Sequence, residues 1–226
     1  MSELHRTVWP DVGDAPRVLL IPLGSTEQHG PHLPLGTDTI IASSIARSVA
    51  SVVDVLVAPA LAYGSSGEHA GFPGTLSIGQ SALEMVVVEL VRGLDRWPGP
   101  NPRVVLVNGH GGNHQAVIRA VRLLRGESRS VQAWWPTDTD GDAHAGRTET
   151  AVLLHVDPSL VRFDRAEPGN SEPIGRLLGS LQTNGVRAVS PNGVLGDPMG
   201  ASAEEGRRIH QRWVTELVEL VRTVAW

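Results

Sequence analysis

The sequence predicts an α/β domain in which a mostly parallel sheet is sandwiched between helices. Short apolar runs bounded by glycine or proline alternate with longer segments whose apolar residues recur every three or four positions. This alternation is typical of parallel sheets, because parallel strands need a crossover and the crossover is usually a helix. The 226 residues contain no linker-like tract, so we expect a single domain over residues 1–226.

Four apolar runs are predicted to form the sheet. They are RVLLIPL (17–23), DVLVAP (54–59), RVVLV (103–107) and SVQAWW (130–135). Their content of valine, leucine and isoleucine is expected of strands that are buried on both faces. Trp134 and Trp135 are neighbours on the last run and face opposite sides of the sheet, so at most one of them can line a site.

Helical spacing predicts the elements between and after these strands. The predicted helices cover residues 38–53, 81–94, 113–125, 148–155 and 204–224. Ser81 and Glu84 have the spacing of a capping box, which would begin the second of these helices. The last helix is amphipathic, with one apolar stripe of Ile209, Trp213, Leu217, Leu220 and Val224.

The composition excludes several classes of chemistry. The chain has no cysteine, and all 19 of its cationic side chains are arginine. Disulfides, thiolate zinc sites, cysteine nucleophiles, Schiff-base lysines and P-loop lysines are therefore excluded. A net charge of −5 without a basic block argues against nucleic-acid binding.

Nothing in the sequence predicts a membrane segment. The first ten residues lack the apolar core of a signal peptide. The longest apolar stretches have about ten residues, whereas a helix needs about 20 to span a bilayer. We therefore expect a cytoplasmic protein with no membrane contact.

The polar loop after the first predicted strand carries Glu27, His29 and Asp38. On an extended segment, residues two apart point the same way. The carboxylate of Glu27 and the imidazole of His29 would then form half of a metal site. The alternative is that both are solvated loop residues and that Asp38 is only a helix N-cap.

Two later segments carry further candidates. His110 follows the third predicted strand between glycines, where it could coordinate a metal ion; alternatively, the glycine turn binds an anion and His110 is incidental. Glu149 lies at the start of an apolar helix. There the helix dipole would stabilise its carboxylate even if it bound no metal ion. The loop at 64–69 either lines a pocket or is a surface loop.

Together these segments offer two imidazoles and three carboxylates. Five nitrogen and oxygen ligands are too many for one tetrahedral zinc ion, but they fit two divalent ions that share one carboxylate. Ligation without thiolate suits Zn²⁺, Mn²⁺ or Fe²⁺. The candidate ligands are Glu27, His29, Asp38, His110 and Glu149.

Three blocks of the sequence resemble the creatininase family, and they occur in the family's order. They are GSTEQHGPHLPLGTDTIIA (24–42), VNGHGGN (107–113) and HAGRTETA (144–151). The resemblance implies an α/β sandwich with a dinuclear metal site that hydrolyses C–N amide bonds. It also implies a homo-oligomer, which in this family is often a hexamer.

The resemblance divides the ligands between two ions, for which we predict Zn²⁺ with Fe²⁺ or Mn²⁺. Glu27 and His110 would hold one ion, His29 and Glu149 the other, and Asp38 would bridge them. Creatinine amidohydrolase has a metal-binding glutamate two residues after the histidine of the second block. Here that residue is glycine, at position 112, so Glu149 must supply the ligand; this departure argues against creatinine as the substrate.

Two further segments resemble the family members that are encoded with mycofactocin biosynthesis. They are AYGSSGEHAGFPGTLSIG (62–79) and GVLGDPMGASAEEGRRI (193–209). This resemblance implies a peptidase that acts on the modified C-terminus of a ribosomal precursor peptide and releases a Val–Tyr-derived fragment. Residues 192–205 would either close over the pocket or cover a subunit contact.

The implied nucleophile is a water or hydroxide held between the two ions. We predict that His144, five residues before Glu149, is the general acid that protonates the leaving amine, with His32 as the alternative. A modified Val–Tyr tail needs a largely apolar pocket. The residues predicted to contact the substrate are Tyr63, Glu68, His69, Phe72 and Trp135.

Two other functions remain open at this point. One is a hydrolase of small cyclic amides or formamides that uses the same metals. The other is a non-catalytic, metal-binding scaffold, against which the retention of all five ligand types argues. A nucleotide-binding module is disfavoured, because the glycine turn at 109–113 has neither a P-loop lysine nor the full G-x-G-x-x-G pattern.

Overall fold

The computed structural model describes residues 3–13, 18–99, 101–137 and 141–223. Its centre is a parallel sheet in the order β2–β1–β3–β4. The strands are β1 (Val18–Leu23), β2 (Val55–Val57), β3 (Arg103–Asn108) and β4 (Val131–Trp134). The predicted α/β class with a parallel sheet is confirmed. Arg17, the first residue of the first predicted strand, lies outside the described residues.

Helices connect and cover these strands. They are α1 (Trp9–Val12), α2 (Thr37–Ala50), α3 (Gly79–Arg92), α4 (His114–Gly126), α5 (Arg147–Val156), α6 (Ile174–Asn184), α7 (Val186–Val189) and α8 (Ala203–Thr223). A short 3-10 helix, Gly67–His69, lies in the long loop after β2. None of the described helices is long and apolar enough to cross a membrane.

The two faces of the sheet pack against different helices. Leu20 of β1 belongs to a core cluster with Ile45 of α2, Leu153 of α5 and Leu217 of α8. The neighbouring residue Leu19 belongs to the opposite cluster, which α3 and α4 complete. Alternate residues of β1 thus face opposite layers, and each fully buried aliphatic side chain contributes about 1.5–3 kcal/mol to stability.

Several predicted boundaries are wrong. Helix α3 begins at Gly79, two residues before Ser81, and no side chain caps it, so the predicted capping box does not form. Asp38 is the second residue of α2 and not its N-cap, which is Gly36. Helices α6 and α7 were not predicted. Val224, which the prediction placed in the last helix, lies outside the described residues.

The register of the sheet positions the candidate site. Leu23 of β1 pairs with Asn108 of β3, so both strands end at the same edge. The loop at 24–36 and the glycine turn at 109–113 leave the sheet side by side. Ligand sites in parallel sheets lie beyond this carboxyl edge.

Candidate metal centre

The structure brings all five predicted ligands together at the carboxyl edge of the sheet. Glu27, His29, Asp38 and His110 are buried, with at most 4% of each residue exposed. The side chain of Glu149, in the first turn of α5, is 22% exposed. Three separate segments of the chain therefore converge on one cluster of ionisable groups.

The first group in this cluster consists of Glu27, Asp38 and His110, whose ligand atoms lie within 4.8 Å of one another. Nε2 of His110 is 3.2 Å from Oε2 of Glu27. Its other ring nitrogen, Nδ1, is 3.1 Å from Oδ2 of Asp38. A carboxylate thus faces each ring nitrogen of His110, and only one of these nitrogens can bind an ion that the group shares.

The second group consists of His29, Asp38 and Glu149. Nε2 of His29 is 3.1 Å from Oδ1 of Asp38 and 3.9 Å from Oε2 of Glu149. Asp38 belongs to both groups, and each of its oxygens faces a different histidine. A third group, which overlaps the other two, joins Glu27 and His29 to His144.

Short hydrogen bonds hold the carboxylates in place. The hydroxyl of Ser25 donates to Oδ2 of Asp38 at 2.6 Å. The backbone N–H of Ala145 donates to Oε2 of Glu149 at 2.6 Å, and Ala145 has a left-handed φ of 51°. Asp142 caps the start of α5 by accepting from the N–H of Thr148 at 3.1 Å. The bend before α5 therefore fixes the direction of Glu149.

Burial opposes ionisation of two of the carboxylates. It raises the pKa of Glu27 to about 7 and that of Glu149 to about 7. For Asp38, burial also raises the pKa, but His29 and His110 outweigh it, so the pKa of Asp38 falls well below its usual range. Asp38 is thus the carboxylate of the cluster that most readily stays ionised.

The two central histidines show the opposite balance. Burial alone would lower the pKa of His29, but Asp38 and the neighbouring carboxylates raise it to about 10. His110 likewise has a pKa raised to about 10, because Glu27 and Asp38 outweigh its burial. The cluster therefore attracts positive charge strongly, and protons occupy it when no cation is bound.

The surroundings of Glu27 show whether this cluster suits a metal ion. Both of its carboxylate oxygens are buried, and neither has a hydrogen-bond partner among the described residues. The ring nitrogens of His110 and His69 face these oxygens at 3.2 and 3.3 Å without forming a hydrogen bond. A buried carboxylate that accepts no hydrogen bond is costly, and native proteins rarely retain one without a ligand. Imidazole and carboxylate donors suit divalent zinc, manganese or iron, so the residues fit a metal centre.

The predicted general acid lies against the cluster. His144 is buried, and its Nδ1 is 3.7 Å from Oε1 of Glu27. Its ring centroid is 4.3 Å from that of His29. Burial lowers the pKa of His144 well below its usual range, so the ring is neutral at pH 7.

The alternative acid, His32, has a different environment. It lies outside the three groups of possible metal ligands in the described part of the chain. Its Nε2 is hydrogen-bonded to the hydroxyl of Thr150 at 2.8 Å. Burial lowers the pKa of His32 to about 4. The contact with Thr150 ties the loop after β1 to helix α5.

Two of the predicted substrate residues also reach the cluster. Nε2 of His69 is 3.3 Å from Oε1 of Glu27, and His69 is only 4% exposed. Oε1 of Glu68 is 3.8 Å from Nε2 of His110, and the Glu68 side chain remains 30% exposed. The loop at 64–69 therefore lines the site and is not simply a surface loop.

The three aromatic residues predicted to contact the substrate have different surroundings. Tyr63 is 49% exposed. Phe72 packs on a small apolar cluster that includes Leu177 of α6. Trp135 is half-buried, with its ring 4.2 Å from that of His114, whereas Trp134 packs into the core beneath the sheet.

Residues 193–195 pack directly against His144. Leu195 donates its N–H to the carbonyl of His144 at 2.8 Å and accepts from the N–H of His144 at 3.2 Å. The end of the site at His144 is thus covered by residues 193–195, while a subunit contact through residues 192–205 stays a prediction. A cavity of about 860 Å³ is lined partly by Leu195, Asp142 and Arg208, but by none of the five predicted ligands.

Sequence reasoning missed the amides that tie the site together. Asn113 donates through Nδ2 to the carbonyl of Gly24 and to Oδ1 of Asn108, both at 3.0 Å. Its Oδ1 accepts from the N–H of Ser65 at 2.9 Å. Gln28 likewise connects the loop after β1 to His69 and Gly193 through its side-chain amide. Both amides lie inside the blocks that resemble the creatininase family, at 24–42 and 107–113. Their place in these blocks is the feature of the sequence that could have drawn attention to them.

Comparison with known proteins identifies the family. A family model described as "Creatinine amidohydrolase" matches residues 5–221. The chain belongs to the creatininase family. The predicted resemblance is thereby confirmed.

The chain is about half identical to two curated peptidases and about a quarter identical to a creatinine amidohydrolase. It is 49% identical to the "Mycofactocin precursor peptide peptidase" of Mycobacterium ulcerans, over 97% of this chain and 87% of the relative. It is 52% identical to the protein of the same name from Mycobacterium tuberculosis, over 90% and 84%. Identity to the creatinine amidohydrolase of Pseudomonas putida is 28%, over 91% and 88%.

Solved structures agree with this assignment. A crystal structure of creatinine amidohydrolase superposes with a TM-score of 0.83 at 26% identity and covers 97% of this chain and 96% of that one. A structure described as "Creatininase Mn" gives a TM-score of 0.79 at 26% identity, with each chain covered at 98%. The creatininase fold thus extends over nearly the whole chain.

The glycine at position 112 has a physical reason in this structure. A Cβ atom built there would lie 2.3 Å from the carbonyl oxygen of Ser65, 2.4 Å from Nε2 of His110 and 2.5 Å from Oε1 of Glu68. The site therefore has no room for a side chain at Gly112. Glu149 approaches the cluster from α5 instead, where it groups with His29 and Asp38.

Proposed function

We propose that this creatininase-family chain is a metal-dependent peptidase of mycofactocin biosynthesis. It hydrolyses an amide bond near the modified C-terminus of the precursor peptide and releases a Val–Tyr-derived fragment. Relatives with that peptidase name, at 49% and 52% identity, support the substrate. The observation that carries the chemistry is the buried carboxylate of Glu27, which lacks hydrogen-bond partners among the described residues and faces four other potential ligands.

We assign the five ligands to two divalent ions. Glu27 and His110 would hold one ion, His29 and Glu149 would hold the other, and Asp38 would serve both. The two groups of ligand atoms that share Asp38 support this division. For the metals we propose Zn²⁺ with Fe²⁺ or Mn²⁺; solved creatininases described as "Zn-Zn type" and "Creatininase Mn" support divalent ions of this kind.

When bound, divalent ions of this type lower the pKa of a bound water to about 7 and polarise the scissile carbonyl. The protein's own residues move the remaining proton. His144 is neutral, and its Nδ1 faces the cluster 3.7 Å from Glu27, where it would accept the proton that the attacking water loses and deliver it to the leaving amine. A positioned acid of this kind typically contributes about 10²–10⁴-fold. His32 is the alternative acid.

The substrate's modified tail lies against the open side of the cluster in this proposal. Glu68 and His69 adjoin the ligands directly, and Tyr63, Phe72 and Trp135 supply aromatic surface farther out. The remaining parts of the proposal are a cytoplasmic location and a homo-oligomer, often a hexamer in this family, with no nucleic-acid or membrane partner.

A substrate comparison tests the function. Purified protein loaded with Zn²⁺ or Mn²⁺ is incubated separately with the modified precursor peptide, creatinine and a formamide, and products are identified by mass spectrometry. We expect release of the C-terminal fragment from the peptide only. Hydrolysis of creatinine or the formamide without peptide cleavage would favour the small-amide hydrolase, the activity named for the 28% identical creatinine amidohydrolase of Pseudomonas putida. Loss of peptide cleavage in Glu149→Gln ties the activity to this site and argues against a non-catalytic scaffold.

A further inference from the structure

Gln28 lies between two predicted ligands in sequence but is not itself a metal ligand. The residue is 5% exposed. Its Oε1 accepts a hydrogen bond from the N–H of Gly30 at 2.9 Å. Because that atom must be the acceptor, the orientation of the amide is fixed, and Nε2 points toward two histidines.

Three neighbours surround Nε2 of Gln28, which has only two hydrogens. They are Nδ1 of His69 at 2.9 Å, the carbonyl oxygen of Gly193 at 3.0 Å and Nε2 of His144 at 3.1 Å. Nε2 of His144 also lies 2.8 Å from the backbone carbonyl oxygen of Gln28. One of the three neighbours must therefore be something other than an acceptor.

A single arrangement satisfies every group. The amide donates its two hydrogens to His69 and Gly193, and His144 donates the proton of its Nε2 to the carbonyl of Gln28. The reverse arrangement, with Nε2 of His144 bare, would leave one acceptor without a donor and would place two lone pairs 2.8 Å apart.

The absence of a side chain at Gly193 leaves space for the amide of Gln28. Gly193 has a left-handed φ of 84°, and a Cβ atom at that position would lie 1.9 Å from Oε1 of Gln28. The segment at 193–195 thus closes directly on the glutamine side chain. Gln28 joins three parts of the chain: the loop after β1, the 3-10 turn at His69 and the segment that covers His144.

We propose that Gln28 is a positioning residue that fixes the tautomers of His69 and His144. Both rings then carry their proton on Nε2. The protonated Nε2 of His69 then lies 3.3 Å from Oε1 of Glu27, where its partial positive charge favours the ionised carboxylate. Nδ1 of His144 is left as a bare lone pair that faces the cluster, 3.7 Å from the same oxygen. The inference deepens the proposed function and rests on it only for the choice of site.

Ring nitrogen NMR on metal-free protein tests this inference directly. The spectra correlate the carbon-bound ring protons of each histidine with both ring nitrogens, and they distinguish a protonated nitrogen from a bare one. In the unmodified protein we expect protonated Nε2 and bare Nδ1 in both rings, with Nδ1 of His69 shifted by the hydrogen bond it accepts. A proton on Nδ1 of either ring would overturn the proposal, and this measurement needs no variant.

A matched pair of variants tests the side chain. Gln28→Met removes the amide at similar length. Gln80→Met removes another amide near the site, which donates to Oγ of Ser65 at 3.0 Å and to the carbonyl of Gly112 at 2.6 Å but contacts neither of the two histidines. We expect Gln28→Met alone to move Nδ1 of His69 to the position of an unbonded lone pair.

Zinc affinity provides a second measurement. Groups that orient metal ligands typically change metal affinity about 10–100-fold when removed, and we expect a loss of that size in Gln28→Met. Unchanged His69 signals together with unchanged zinc affinity would contradict the positioning role. Because neither measurement uses a peptide, a failure of the proposed substrate would leave this result intact, and the reverse also holds.

Discussion

Replacing Glu27 by glutamine should stabilise the metal-free protein and weaken the further stabilisation that metal provides. The side chain is completely buried, and neither oxygen has a hydrogen-bond partner among the described residues. Glutamine has the same shape but carries no charge. In the absence of metal it removes a buried negative charge, and in the presence of metal it removes a ligand.

The size of the effect follows from the pKa of Glu27. Burial raises this pKa from 4.5 to about 7 in the folded protein, despite the attraction of His110. Each pKa unit corresponds to about 1.4 kcal/mol, so ionised Glu27 destabilises the fold by about 3 kcal/mol above pH 7. As pH falls through 7 the folded protein takes up the proton. Below about 4.5 both states are protonated and the difference vanishes.

Urea unfolding in a chelator at pH 8 and pH 5 measures this effect. We expect Glu27→Gln to have the larger free energy of unfolding at pH 8 and only a small advantage at pH 5. Added Zn²⁺ should reverse the order, because only the unmodified protein retains the full ligand set. Glu172→Gln, at an exposed position, is the control and should match the unmodified protein. A Glu27→Gln variant less stable than the unmodified protein in chelator at pH 8 would refute the reasoning.

Four further substitutions probe separate parts of the account. Asp38→Ala should reduce the metal content from about two ions per chain and abolish turnover, since Asp38 belongs to both ligand groups; elemental analysis measures this. His144→Ala should retain metal but slow hydrolysis by about 10²–10⁴-fold, as measured by kcat. Ser25→Ala removes the 2.6 Å hydrogen bond to Asp38 and should weaken metal affinity about 10–100-fold in a competition titration. His210→Gln should flatten the loss of stability on acidification, because burial and His155 lower the pKa of His210 to about 4, and its protonation in the unfolded state begins near 6.5; urea unfolding from pH 4 to pH 7 measures this.

Each of these predictions has an outcome that contradicts it. Two tightly held ions in Asp38→Ala would exclude its bridging role. Metal loss in His144→Ala would make that residue a ligand rather than the acid. Unaltered metal affinity in Ser25→Ala would show that the hydrogen bond from Ser25 is not needed to hold Asp38 in position. For His210→Gln, a free energy of unfolding that falls between pH 7 and pH 4 as much as in the unmodified protein would mean that the ring of His210 does not cause this loss.

The sheet and the ligand set were predictable because both depend on local sequence. Each strand is a compact run of branched apolar residues, whereas the register that pairs Leu23 with Asn108 is known only from the structure. The five ligands occur at the ends of strands or the starts of helices. Their convergence still depended on family resemblance, because no local rule brings Glu149 to the loop after β1.

The supporting contacts were not predictable, because they join residues distant in sequence. Gln28 reaches His69 and Gly193, and neither contact leaves a pattern in composition or periodicity. The start of α3 was misjudged for a related reason. Ile78 is anchored by its N–H to the carbonyl of Gly64, and the helix begins at the next residue without any capping side chain.

The central claim is that five converging side chains hold two catalytic ions, and metal analysis coupled to activity tests it most directly. Protein purified without oxygen is analysed for zinc, iron and manganese, and cleavage of the modified precursor peptide is measured before chelation, after chelation and after the metal is restored. The account predicts about two ions per chain, loss of cleavage on chelation and recovery on reloading. Full cleavage by metal-free protein would contradict it.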